Sequence, residues 1–147
     1  MKLVFDTDIL IDHFRDPHLY HRLTAAIDHS QLYASSIVAM ELRAGCQRPG
    51  EIQVLEQFLR PFEVAGRIIP PDHQACLHAG AILSLLGTKY GLDPHKRRSL
   101  SNDVLIAASS LRIGAALITR NHSDFSLISR CIPLVWFGSV EEFLAAL

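Results

Sequence analysis

Short apolar runs alternate along this chain with longer stretches in which apolar residues recur every three or four positions. Lys2 to Phe5 (KLVF) is short and β-prone and predicts a buried strand ending at Asp6. From Thr7 to about Phe14, the residues Ile9, Leu10, Ile11 and Phe14 predict a helix that Asp16-Pro17 breaks, and His18 to His29 predicts a second. Gln31 to Ala34 predicts another short strand. Ser35 or Ser36 then caps the helix IVAMELRAG, which Gly45 ends. A further helix is predicted from Glu51 to Leu59, and a strand at Arg67-Ile68-Ile69 closed by Pro70-Pro71. Asp72 to Tyr90 reads as a long helix ended by Gly91, with Gly80 and Gly87 weakening its continuity.

The segment from Gly91 to Asn102 predicts the longest loop, and it carries the basic run His95-Lys96-Arg97-Arg98. Ser101 or Asn102 is placed to cap the helix DVLIAASSLRIG, which ends at Gly114. Ala115 to Thr119 predicts a fourth strand, and the sequence RNHSDF after it reads as a polar turn. Pro133 to Trp136 predicts a fifth strand whose leading proline favours an edge. Ser139 and Glu142 form a capping-box pattern for a last helix.

Strands alternating with helices predict one α/β domain over residues 1–147. Its sheet is expected to be parallel, of four to five strands, with helices on both faces. In such folds ligands gather at the carboxyl ends of the strands, near the point where strand order reverses.

Composition narrows the chemistry. The apolar fraction is 49% and the charged fraction 20%, enough to build a core. Formal net charge is -1, so a protein that works by coating nucleic acid is disfavoured; any contact with nucleic acid is expected to be local. Cys46, Cys76 and Cys131 have no zinc spacing and read as reduced thiols. The eight histidines include no HExxH pattern, and no GxSxG elbow appears. Asp6, Asp8 and Asp12 interrupt any leader-like apolar segment, and no run approaches the roughly 18 apolar residues of a membrane span. A cytoplasmic protein is the expectation.

Four carboxylates stand where the strand-end rule directs attention. Asp6 ends the first strand, Asp103 opens a helix, and Asp124 follows the fourth strand. Glu41 lies about one and a half turns into the helix after the second strand. Each alone has an ordinary structural reading as a cap, a turn residue or a solvated side chain. Their flanks argue for partial burial: KLVF precedes Asp6, Val38, Met40 and Leu42 surround Glu41, and Val104 to Ala108 follow Asp103. Buried like charges are unfavourable unless a cation sits among them, and a divalent metal with oxygen ligands supplies one.

Four stretches, LVFDTDILID at 3–12, SSIVAMELRAG at 35–45, SNDVLIAASSLRIGAALITRN at 101–121 and HSDF at 122–125, occur in the order of a known family. With them the chain resembles PIN-domain proteins of the VapC toxin type. The resemblance implies Mg²⁺ or Mn²⁺ held by Asp6, Glu41, Asp103 and Asp124, with Thr7, Thr119 and Asn121 beside the site. Position 8 departs from the family: Asp8 stands where Asn or Ser is common, and this fifth carboxylate is expected either to tighten metal binding or, the favoured reading, to face away from the cluster.

The implied activity is metal-dependent hydrolysis of RNA phosphodiester bonds, with Lys96, Arg97 and Arg98, and further Arg43, Arg48 and Arg120, as candidates for the RNA backbone. Alternatives are a DNA or flap nuclease and a non-catalytic PIN-like interaction module. The resemblance also implies a cognate antitoxin and a homodimer, for which exposed apolar residues of the helical hairpin at 51–90 are candidates.

Overall fold

The computed structural model describes all 147 residues, except the side chains of Leu19 and Leu23. Strand β1 (Lys2–Phe5) leads into helices α1 (Thr7–Arg15) and α2 (Pro17–Thr24), then β2 (Leu32–Ser35). Helices α3 (Ser36–Gly45) and α4 (Pro49–Val64) precede β3 (Ile68–Ile69). Helices α5 (His73–Thr88), α6 (Pro94–Ser99) and α7 (Ser101–Arg112) precede β4 (Ala115–Ile118). The chain finishes with α8 (His122–Ile128), β5 (Trp136–Phe137) and α9 (Val140–Ala145).

The five strands form one parallel sheet in the order β3-β2-β1-β4-β5. Leu3, Val4, Leu117 and Ile118 are fully buried, as continuous apolar strands covered on both faces must be. From β1 the chain steps outward to β2 and β3; it then returns to β4 on the other side of β1 and steps on to β5. Right-handed crossovers therefore put α1 to α4 on one face and α5 to α8 on the other. The direction of winding reverses between β1 and β4, which makes their carboxyl ends the place for a site. Gly114, with φ +65, gives the left-handed turn that carries α7 into β4.

The structure departs from the sequence pattern at several boundaries. The second helix ends at Thr24, because Asp28 caps a short 3-10 turn at His29–Gln31 by accepting the Ser30 N–H at 2.9 Å. Helix α4 runs past Leu59 and through Pro61, its last turns held down by buried Phe62. The expected loop at Gly91 to Asn102 contains α6, for which Asp93 is the cap, accepting the Lys96 N–H at 2.9 Å, and Pro94 is the first residue. Helix α7 starts at Ser101, and neither Ser101 nor Asn102 caps it. The expected polar turn after β4 is helix α8, capped by Asn121 and anchored by buried Phe125 and Ile128. The capping pattern of α9 is half realised: Ser139 accepts the Glu142 N–H at 3.1 Å, but the Glu142 carboxylate takes the N–H of Gly138 at 2.7 Å.

Candidate active site

Asp6 is placed by the strand it ends. Its N–H donates to the Ile118 carbonyl of β4 at 2.9 Å, continuing the β1–β4 ladder by one residue. Its carboxylate caps α1, accepting the Thr7 N–H at 2.7 Å, and also accepts the Thr119 hydroxyl at 2.7 Å. Asp6 is only 5% exposed. Burial raises its pKa to about 6, with Asp8 and Glu41 adding to the rise and the hydrogen bonds from Thr119 and Thr7 opposing it.

Glu41 reaches the same place from α3. That helix is fixed by Ser35, whose hydroxyl accepts the N–H groups of Ile37 and Val38 at 3.2 and 3.4 Å. One Glu41 oxygen accepts the Thr7 hydroxyl, and the other accepts the Asn102 side-chain amide at 3.0 Å. Thr7 thus joins Asp6 to Glu41 through its backbone and its side chain.

Asp103 and Asp124 face each other across one asparagine. The Asn121 side-chain amide donates to Asp103 at 3.2 Å and to Asp124 at 3.1 Å. The Asn121 N–H donates to the Thr119 hydroxyl at 3.1 Å, and so links this pair to Asp6. Burial raises the Asp103 pKa to about 7, and the charges of Asp6, Asp124, Glu41 and Asp8 add to it. Lys96 of α6 stands 3.1 Å from the other oxygen of Asp124.

All four carboxylates expected from the sequence therefore meet in one network at the reversal point, and Thr7, Thr119 and Asn121 are the donors that join them. Two members were not recognised from sequence. Asn102 was read as a helix cap, and its link to Glu41 spans 61 positions, which no local pattern signals. Lys96 stands in the sequence beside Arg97 and Arg98, and nothing local separates the three. Arg97 instead lies against α5, where a Cβ on Gly87 would stand 2.9 Å from its guanidinium carbon.

Asp8 is turned toward Arg120, yet its charge still reaches Asp6 and Asp103, and one of its carboxylate oxygens is buried without a hydrogen-bond partner. It accepts the Arg120 N–H at 3.0 Å, while the Arg120 guanidinium donates to the Asp8 carbonyl at 3.0 Å and pairs with Asp12 at 2.6 Å.

The chemistry of the donor set fits a hard divalent cation: four carboxylates, two of them with pKa values raised well above the usual range by burial and mutual repulsion. Among the described residues, no three Asp, Glu, His or Cys side chains already converge as a closed coordination sphere. Each carboxylate is instead held by a neutral or cationic donor, which is how mutually repelling groups settle. Beside Glu41, a cleft of about 530 Å³ opens between α1, α3 and α4, with Ile11, Phe14, Leu42, Val54 and Leu55 in its walls.

The cysteines are all free, and among the described residues no helix is long and apolar enough to cross a membrane.

Comparison with known proteins gives this geometry a family. No curated protein matches the chain. The structure is similar to that of VapBC-1 from nontypeable Haemophilus influenzae, at 26% identity and TM-score 0.66, covering 93% of this chain and 97% of that one. It is similar to a toxin-antitoxin complex from Klebsiella pneumoniae, at 28% identity and TM-score 0.57, covering 85% and 91%. The fold is also that of DNA-bound VapBC from Salmonella typhimurium, at 23% identity and TM-score 0.67, covering 93% and 97%. The PIN domain model matches residues 3–130, the span that holds the whole carboxylate network, and the chain belongs to the PIN-domain family.

Proposed function

We propose that this protein is a metal-dependent endoribonuclease and the toxin of a VapBC-type pair. The observation that carries the reading is the single hydrogen-bonded network of Asp6, Glu41, Asp103 and Asp124 at the reversal point of a PIN fold. These four residues would hold Mg²⁺ or Mn²⁺. A divalent ion bound there lowers the pKa of a water and offsets charge on a phosphodiester.

The chain's own residues do the rest. Thr119 and the Thr7 N–H hold Asp6 toward its ionised form, the form a cation needs. Asn121 fixes the facing oxygens of Asp103 and Asp124, and Thr7 and Asn102 fix Glu41. With carboxylates already oriented, little reorganisation is left for the reaction.

The chain's similarity to toxin-antitoxin complexes supports an antitoxin partner. The cleft between α1, α3 and α4 offers an apolar helix of such a partner a seat, and Glu41 in its wall brings the occupant next to the network. Val54 and Met40, both about half exposed, keep apolar surface near it, and a homodimer belongs to the same proposal.

The test is cleavage of transfer, ribosomal and messenger RNA by the purified chain with Mg²⁺, Mn²⁺ or EDTA, beside Asp103→Asn. Metal-dependent cuts that vanish in the variant are expected. Cutting of DNA alone would shift the substrate class, and no cutting by a folded chain that binds Mg²⁺ would leave a binding module.

A further inference from the structure

The network contains one cation, Lys96, which the sequence offers only as one of several candidates for the RNA backbone. Among the described residues, Lys96 is the only lysine or arginine within ion-pair distance of Asp6, Glu41, Asp103 or Asp124. Its position is built from several sides. Asp93 and Pro94 start α6. Arg97 is packed on Gly87 of α5, with its Nε buried and unpartnered, so α6 is pinned by its neighbour. Successive helix residues point about 100° apart, which turns Lys96 away from α5 when Arg97 faces it. Lys96 then lies over α8 at Asp124.

The Lys96–Asp124 pair is open to solvent and leaves the ammonium with donors to spare. The Lys96 side chain is 47% exposed and Asp124 21% exposed. The ammonium has three donors, and the described contacts use one. Asp124 already has a neutral donor in Asn121 at 3.1 Å. Four carboxylates repel any phosphodiester that approaches, so the strand on either side of the bond being cut needs a cation at the rim of the cluster. Lys96 is at that rim.

We propose that Lys96 is a substrate-binding residue: Asp124 holds its ammonium at the edge of the acidic cluster in the free protein, and an RNA phosphate oxygen adjoining the scissile bond takes it up. This deepens the nuclease reading and rests on it. It also divides the basic run by role, with Lys96 on the substrate and Arg97 on the fold.

The experiment measures anisotropy of a labelled, mixed-sequence single-stranded RNA of about 20 nucleotides on the Asp103→Asn chain with Mg²⁺. The chain is compared with and without Lys96→Ala or Lys96→Arg over a KCl series. Lys96→Ala is expected to weaken binding on the order of tenfold at low salt, and to reduce the slope of log affinity against log salt by about 0.7, one phosphate contact on a single strand. Lys96→Arg is expected to restore the slope. Arg60→Ala, an equal charge change on α4, is expected to leave the slope unchanged. An unchanged slope in Lys96→Ala, or tighter binding, overturns the proposal; tighter binding would make Lys96 a plug on Asp124. RNA cutting by the unmodified chain is followed in parallel. Cutting with an unchanged slope defeats the role of Lys96 alone, whereas neither cutting nor binding by any chain defeats the nuclease reading with it.

Discussion

Thr119 donates its hydroxyl to Asp6 across 2.7 Å, and so ties the carboxyl ends of two neighbouring parallel strands at the point where the winding of the sheet reverses. Thr119 is fully buried, and the residues lie 113 positions apart. The bond opposes the rise of the Asp6 pKa caused by burial. Thr119→Val keeps the volume and removes the donor. It is expected to cost about 1–3 kcal/mol in urea unfolding. It should also push the Asp6 pKa further above 6, so cleavage falls more at pH 6 than at pH 8. Thr119→Ser should restore both. An unchanged pH–rate profile in Thr119→Val would remove Asp6 from the titrating groups.

Stability without metal should fall as pH rises. The folded-state pKa values of Asp6 and Asp103, about 6 and about 7, lie above the ordinary 3.8. Between these limits the folded state binds more protons than the unfolded chain, so unfolding free energy declines with pH. The stabilising contribution is whole below about pH 4 and lost by about pH 7 to 8. Thermal melts in EDTA at pH 5 and pH 8 measure this, and Mg²⁺ should raise the melting temperature more at pH 8, where the carboxylates are ionised. Equal effects at both pH values would argue against these two carboxylates as its ligands.

Asp103→Asn should separate stability from activity. Removing a half-buried charge whose pKa is raised by burial and by four acidic neighbours should stabilise the metal-free chain at pH 8 by on the order of 2 kcal/mol. The same change should lower RNA cleavage about a hundredfold or more. In a bacterial host, the unmodified chain should stop growth and the variant should not; turbidity and melting curves read the two effects. A variant less stable than the parent in EDTA would contradict the charge-repulsion account.

Asn121 serves two carboxylates and one helix at once. Asn121→Ala removes the shared donor of Asp103 and Asp124 and the cap of α8. The cap alone should cost about 1 kcal/mol. The lost orientation should raise the Mg²⁺ needed for half-maximal cleavage by about 10- to 100-fold. An Mg²⁺ titration of the rate decides it, since a purely structural role would lower activity without moving the midpoint.

The scaffold can be probed away from the network. Ser35 is buried, and its hydroxyl accepts two N–H groups at the start of α3, the helix that carries Glu41. Ser35→Ala is expected to destabilise the fold by about 1 kcal/mol, with Ser35→Thr milder and Ser35→Asp worse because it buries a further charge. Urea midpoints of the three variants would show the order.

What the sequence determined by itself is local. Apolar runs of four residues such as KLVF and AALI define central strands because both faces are covered, and the Ser35-Ser36 pair marks the start of α3, the structure choosing Ser35, whose hydroxyl meets N–H groups two and three positions on. The strand-end rule directs attention to Asp6, Glu41, Asp103 and Asp124, and the motifs of the resemblance add Thr7, Thr119 and Asn121. Helices α6 and α8 were missed because each is short and polar in sequence. They exist because Asp93 and Asn121 cap them, and because α8 buries Phe125 and Ile128 against the rest of the fold. Only the tertiary structure decided that Asn102 meets Glu41, that Lys96 meets Asp124, and that Arg97 lies on Gly87. The contacts of Asn102 and Lys96 span 61 and 28 positions, and that of Arg97 joins two consecutive helices across a turn. Their partners are chosen by how α5, α6 and α7 stack on the sheet, and no periodicity within a helix carries that information.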